Sequence, residues 1–182
     1  METGYLLAFA GLAAAGVVFW YISAMNAFAR LEVKVTESDS GIDVALTKRF
    51  DTLTKMLDVT KAYAKHEAET LAKLVKLRKG MSVDEKSEAN RQMDEVSGRI
   101  NVLAEAYPEL KSNENFKQLQ FAITDVEEHL QASRRIYNMN VSSFNQLLAA
   151  WPSSIVGRQR NHAPKAFFQA EEHKRADVKM EF

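Results

Sequence analysis

Hydrophobic and polar positions divide this chain into two regimes. From Thr3 to Ala29 no residue is charged, and the stretch reads TGYLLAFAGLAAAGVVFWYISAMNAFA; from Arg30 onward charges are dense. The first regime is long enough to cross a bilayer as a helix, which takes about 20 apolar residues. In the second, apolar residues recur at alternating spacings of three and four, the pattern of helices packed side by side. One seam reads Ile42, Leu46, Phe50, Leu53, Leu57, Thr60, Ala64, Glu67, Leu71, Leu74. A second reads Ala89, Met93, Val96, Ile100, Leu103, Tyr107, and a third Phe116, Leu119, Ile123, Val126, Leu130, Ser133, Tyr137, Asn140, Phe144, Leu147, Trp151. The third is unbroken, roughly 50 Å of helix at about 1.5 Å per residue.

The breaks between seams are legible too. Arg78-Lys79-Gly80 sets basic residues and then a glycine where a helix would end. Ser82 with Glu85 forms a capping box that opens the next helix. Tyr107-Pro108 closes it, because the residue before a proline disfavours the helical region. Ser112 or Asn113 caps the third helix, and Trp151-Pro152-Ser153-Ser154 ends it. Short connections join antiparallel neighbours, so the three helices are expected to run up, down and up. A loop with Gly157 and Pro164 comes next, then a short helix over about Ala166 to Arg175, whose Phe167 and Phe168 cap an open end of the core. The expected fold is all-α: an N-terminal transmembrane helix, an antiparallel bundle of three long helices and a short C-terminal helix. Its parts are an extracytoplasmic N-terminus at 1–3, a transmembrane helix at 4–29, a juxtamembrane connector at 30–41 and a helical-bundle domain at 42–182. Thr36–Gly41 is polar and poor in helix formers. It either breaks the first helix or, if helical, joins the anchor and the first bundle helix into one rod.

Composition narrows the function classes. The 182 residues contain no cysteine, so disulfides, thiolate metal sites and cysteine nucleophiles are excluded. Three prolines and seven glycines leave little turn chemistry for a many-stranded fold. Basic and acidic residues balance at 24 each, and a neutral surface argues against nucleic-acid binding, which needs clustered positive charge. A cleaved signal peptide would need a basic start and a shorter apolar run; Met-Glu-Thr supplies no Lys or Arg, although Ala27-Phe28-Ala29 resembles a cleavage site. Trp20 and Tyr21 sit where interfacial aromatics are favoured. Gly11 with Ala15, and Ala10 with Ala14, form small-xxx-small pairs that permit close helix approach. Arg30, Lys34, Lys48 and Arg49 come after the apolar run, and the positive-inside rule then puts the C-terminal domain in the cytoplasm and the N-terminus outside.

Four stretches carry a resemblance. Lys48-Arg49-Phe50-Asp51 leads to Val59-Thr60-Lys61-Ala62-Tyr63-Ala64-Lys65-His66-Glu67. Ala104-Glu105-Ala106-Tyr107-Pro108-Glu109-Leu110-Lys111 leads to Asn113-Glu114-Asn115-Phe116. Arg134-Arg135-Ile136-Tyr137-Asn138 precedes Val141, Phe144-Asn145 and Trp151-Pro152-Ser153, and Phe167-Phe168-Gln169-Ala170-Glu171-Glu172 stands near the end. Together these resemble the LemA family of bacterial membrane proteins, across the anchor and nearly the whole domain. The resemblance implies an N-terminal membrane helix and an all-helical cytoplasmic domain, a class rather than a reaction. Thr54 stands where the family usually has a proline, so the first helix is expected to be straighter than in relatives. Trp151 replaces the more usual phenylalanine and is expected to keep its anchoring role.

Candidate chemistry is sparse. His66, Glu67 and Glu69 lie together, but no second histidine stands four residues away, so the HExxH metal motif is absent. Glu67 falls on an apolar seam, where a carboxylate is paired, solvated or protonated. It either pairs with Arg134 or Arg135, or the seam drifts and it faces water. Asn138 and Asn145 share a face two turns apart with Asn140 on the seam between them, a pattern that sets register between helices or forms a polar strip for a partner. Arg158, Arg160, His162 and Lys165 make a basic loop without an acid. With helices alternating from the anchor, that loop is expected far from the bilayer. No catalytic residue, cofactor or metal ligand is expected. Lipid through residues 4–29 and protein partners, including a second copy, are the partners anticipated for a scaffold or adaptor. The alternatives are a membrane-associated hydrolytic or metal-dependent enzyme using His66, Glu67 and Glu69, or a periplasm-facing module.

Overall fold

The computed structural model describes residues 2–74, 77–78 and 80–169. Its elements are all helical: α1 (Glu2–Thr60), α2 (Lys65–Leu71), α3 (Val83–Ala106), α4 (Pro108–Ser112), α5 (Glu114–Ala149) and α6 (Ser153–Gln159). Two compact units are formed, one from Met1–Ser38 with Asn138–Ala166 and one from Asp39–Tyr137 with Phe167–Phe182. The long helices α1 and α5 contribute to both.

The connector is helical, so the first of the two expectations for Thr36–Gly41 gives way to the second: α1 passes through it without interruption. Its hydroxyls bond inside the helix. Thr36 Oγ1 donates to the Glu32 carbonyl at 3.0 Å, and Ser38 Oγ lies 2.8 Å from that of Lys34 and 3.0 Å from that of Val35. Burial along α1 changes character partway. Thr3 to Phe19 is exposed on every face, although this part of α1 is apolar and long enough for the helix to cross a membrane. From Ala24 a stripe is buried at helical spacing, through Phe28, Val35, Ile42, Leu46, Arg49, Leu53 and Met56 to Thr60.

The first seam does not continue to Leu74 on one helix. Thr60, buried, donates its hydroxyl to the Met56 carbonyl at 2.8 Å, a back-bond that often bends helices. The chain then turns over 61–63, and Ala64 leaves the helical region at φ −139°, ψ 69°. Ala64, Ala68 and Leu71 are buried from the separate α2 instead. Gly80 closes no helix, since α2 ends at Leu71; it is a turn residue at φ +76°, a conformation glycine adopts without a Cβ penalty. The expected capping box is formed: Ser82 Oγ accepts from the Glu85 amide, and the Glu85 carboxylate accepts from the Ser82 amide at 2.8 Å. Pro108 opens α4 directly after the Tyr107 break, and Asn113 caps α5, its Oδ1 accepting from the Phe116 amide at 3.1 Å.

In the second unit consecutive legs alternate in direction, but the up leg, down leg and up leg are not the three long helices. Lys86 reaches Asp39 and Asp43, and Arg49 reaches Asn90 and Asp94, so α3 runs alongside α1 in the same sense. The chain therefore comes back between them, and α2 lies on that return. Helix α5 opposes α1, with Asn113 at Tyr63, Asp125 at Lys48 and Glu127 at Arg49.

In the first unit a short helix does come after α5, but as α6, where a loop was expected. Residues 166–169 carry no helix, and the remainder of the helix expected over Ala166–Arg175 lies outside the described residues. Ser153 Oγ lies 2.7 and 2.9 Å from the carbonyls of Leu147 and Ala150 at the end of α5. Gly157 is needed at a close approach: a Cβ there would stand 2.4 Å from Leu148 Cδ1 and 3.2 Å from Phe28 Cζ. Phe28 and Phe144 meet edge-on, centroids 5.8 Å apart, and His162 stacks on Phe28 at 4.9 Å. Each buried phenylalanine contributes about 1.5–3 kcal/mol.

Candidate functional site

Two polar constellations stand out, one in each unit. In the second unit, Arg49 is carried by α1 into the interior between α3 and α5. Its side chain is 3% exposed, Nη1 donates to Asn90 Oδ1 at 2.6 Å, and Nη2 donates to Asp94 and, at 2.9 Å, to Glu127. Nε is buried without a hydrogen-bond partner. One cation therefore holds a group from each of the other two long helices. A buried charge is tolerated because two carboxylates neutralise it. Lys86 repeats the device from α3: burial pulls its pKa down, but bonds to Asp39 and Asp43 at 2.7 and 2.8 Å outweigh this and raise it overall. Tyr137 is buried nearby, its phenol pushed up by burial and by the charges of Asp39 and Asp84.

Sequence reasoning passed over Arg49 and Lys86 as sites. The heptad reading took Phe50 for the seam position, whereas Arg49 is the buried member and Phe50 only half-buried. The available signal was compositional: Arg49 lies three residues from Leu46, with Asn90 and Glu127 next to seam positions on the other helices.

The expected site residues meet different fates. Glu67 is exposed in the first turn of α2, where a carboxylate suits the helix dipole, and among the described residues it makes no ion pair; the seam has drifted. His66 and Glu69 are exposed on the same short helix, and the described residues contain no group of three or more potential metal ligands. Arg134 lies over the ring of Phe168 at 4.9 Å and donates to the Gln169 carbonyl at 3.0 Å, while Arg135 is exposed. Phe168 is buried and Phe167 exposed. Asn138 is half-buried.

Asn140 donates to the Lys34 carbonyl and to Ser38 Oγ, both at 3.2 Å, tying α5 to α1. Asn145 instead clamps the chain beyond α6. Its Nδ2 donates to the Lys165 carbonyl and its Oδ1 accepts from the Lys165 amide, each at 2.9 Å. Trp151 is not an anchor of the bundle: it is 82% exposed.

The basic loop is not remote from the apolar segment. Within the first unit it lies against α1. Tyr21 donates to Gln159 Oε1 at 2.9 Å, Arg160 lies 3.7 Å from Met25 Sδ, and Glu32 sits 3.5 Å from His162 and 3.8 Å from Lys165. The expectation failed because it assumed that three long legs alternate from the anchor; the extra leg with α2 on it reverses the outcome.

These features define a class, an all-helical bundle protein whose first helix carries an apolar segment long enough to cross a membrane. The chain belongs to the LemA family, whose model matches residues 38–182. It is 32% identical over 165 residues to Protein LemA of Metamycoplasma hominis, a match covering 88% of this chain and 75% of that protein. A shorter stretch of 55 residues is 26% identical to Magnetosome protein MamQ of Magnetospirillum gryphiswaldense, covering 30% of this chain and 20% of the relative.

Proposed function

We propose that this protein is a membrane-anchored helical scaffold of the LemA type. It spans the bilayer once, carries its bundle on the cytoplasmic face, performs no catalysis and engages protein partners, a second copy among them. The observation that carries the reading is the exposure pattern of α1. Thr3 to Phe19 offers apolar side chains in every direction, which only lipid or another apolar surface would cover, and the same helix then becomes a buried strut of the bundle. The first buried residue, Ala24, comes about 30 Å along the helix from Thr3, close to the thickness of a hydrocarbon core. Arg30, Lys34, Arg158 and Arg160 favour the cytoplasmic side for the chain beyond the apolar segment. Gly11, where an added Cβ would meet no neighbouring side chain, and Ala15 supply a small-residue face for a second anchor. Phe121, 78% exposed on α5, supports docking of a partner on the bundle.

A reporter fused to the C-terminus tests the topology: activity of a cytoplasm-dependent reporter is expected, and activity of a periplasm-dependent one would favour the outward-facing module. Crosslinking in membranes, with mass measurement in detergent afterwards, tests the scaffold. A strict monomer that captures no protein would overturn it.

A further inference from the structure

We propose that the segment from Trp151 to Arg160 is a lipid-binding foot that rests on anionic phospholipid headgroups of the leaflet from which α1 emerges. The inference rests on α1 being a membrane anchor and adds a second contact with the same bilayer. Three observations converge on it. The first is position: Tyr21–Gln159, Met25–Arg160 and Phe28–Gly157 hold α6 and the turn after it beside the stretch of α1 that directly succeeds the uncovered apolar segment. That is the depth at which hydrocarbon gives way to headgroups if the apolar part of α1 fills the bilayer from Thr3 onward.

The second is the character of the surface. Trp151 and Ile155 are exposed apolar residues, and tryptophan favours the membrane–water boundary. Arg158 and Arg160 are exposed beside them, and among the described residues neither makes an ion pair. The third is local charge. No acid occurs from Pro152 to Lys165, Arg30 and Lys34 line an open groove together with Ala150, and the nearby Glu32 is already faced by His162 and Lys165. Basic residues at an anionic surface are each worth about fivefold in binding, and the attraction is screened by salt. Apolar tips flanked by arginines at headgroup depth suit a lipid surface better than a protein groove.

The absence of cysteine permits a clean test with single cysteines. The full chain is prepared as Ile155→Cys and, separately, as Leu12→Cys, each carrying a polarity-sensitive fluorophore. Both are reconstituted into vesicles of phosphatidylcholine with or without phosphatidylglycerol. The label at position 155 is expected to be quenched by brominated acyl chains and shielded from iodide in the anionic vesicles, more than in the neutral ones. Raising the salt concentration should release it in the otherwise unaltered chain. Neutralising Arg158→Gln and Arg160→Gln should weaken the contact roughly fivefold per arginine. Throughout, the label at position 12 should stay shielded. Equal iodide access at 155 in both vesicle types, with position 12 shielded, would overturn the foot and leave the anchor standing. Iodide access at position 12 would overturn the anchor and the foot together.

Discussion

The Arg49 constellation makes an asymmetric prediction about stability. Replacing Arg49 with Met removes the cation and leaves an apolar stem of similar length. Asn90, which is buried, then loses a donor to its Oδ1, at about 1–3 kcal/mol for an unsatisfied group. Asp94 and Glu127 lose their partner, but their side chains are 27% and 38% exposed and turn to water, so each adds at most about 1 kcal/mol. The reverse change, Asp94→Asn with Glu127→Gln, leaves a guanidinium that is 3% exposed, already short of a partner at Nε, without a neutralising charge. Breaking a buried pair from that side costs about 3–5 kcal/mol. The carboxylate double variant is therefore expected to be less stable than R49M by about 1–2 kcal/mol, a Tm difference of roughly 2–8 °C for a domain of this size. Thermal unfolding of the full chain in detergent, monitored by circular dichroism at 222 nm, measures it. Adding Arg49→Met to the double variant should recover stability, because the uncompensated charge is gone. If R49M is the most damaging of the three, or if the triple variant falls below the double, the buried-charge argument is wrong.

Four further outcomes are expected. Gly157→Ala should loosen α6 from α1 by about 1–3 kcal/mol, since its Cβ meets Leu148 and Phe28, and Leu148→Ala should relieve part of the loss; melting of both variants checks this. Ser82→Ala should cost about 1 kcal/mol by removing the N-cap of α3, read in the same assay. At alkaline pH the raised pKa of Lys86 gives a definite sign. Its stabilisation is fully present below the ordinary value of 10.5 and is lost as pH rises through the higher folded value, so the unaltered chain should lose Tm faster there than Lys86→Met. Glu85 is the acidic counterpart, held below its ordinary 4.5 by the Ser82 amide and by Arg78. Its contribution is present above 4.5 and disappears as pH falls through the folded value, so Glu85→Gln should flatten the dependence of Tm on pH in that acidic window.

Residue order alone made the helices and most of their ends readable, because those signals are local. A Ser82–Glu85 box, an Asn113 side chain one turn from Phe116 and a proline after Tyr107 act within four residues, and a charge-free run of 27 residues marks α1 without reference to anything else. Periodicity, however, carries neither direction nor continuity. Ala64 and Leu71 keep the three-four spacing across the turn at 61–63, so the seam concealed the break that adds a leg and brings α3 alongside α1 in the same sense. That one leg also brings the basic turn after α6 beside Tyr21 and Met25 rather than away from them. The Arg49 site was hidden for a related reason: whether a cation at the edge of a seam is buried depends on Asn90, Asp94 and Glu127 arriving from two other helices, and that meeting exists only once the chain has packed.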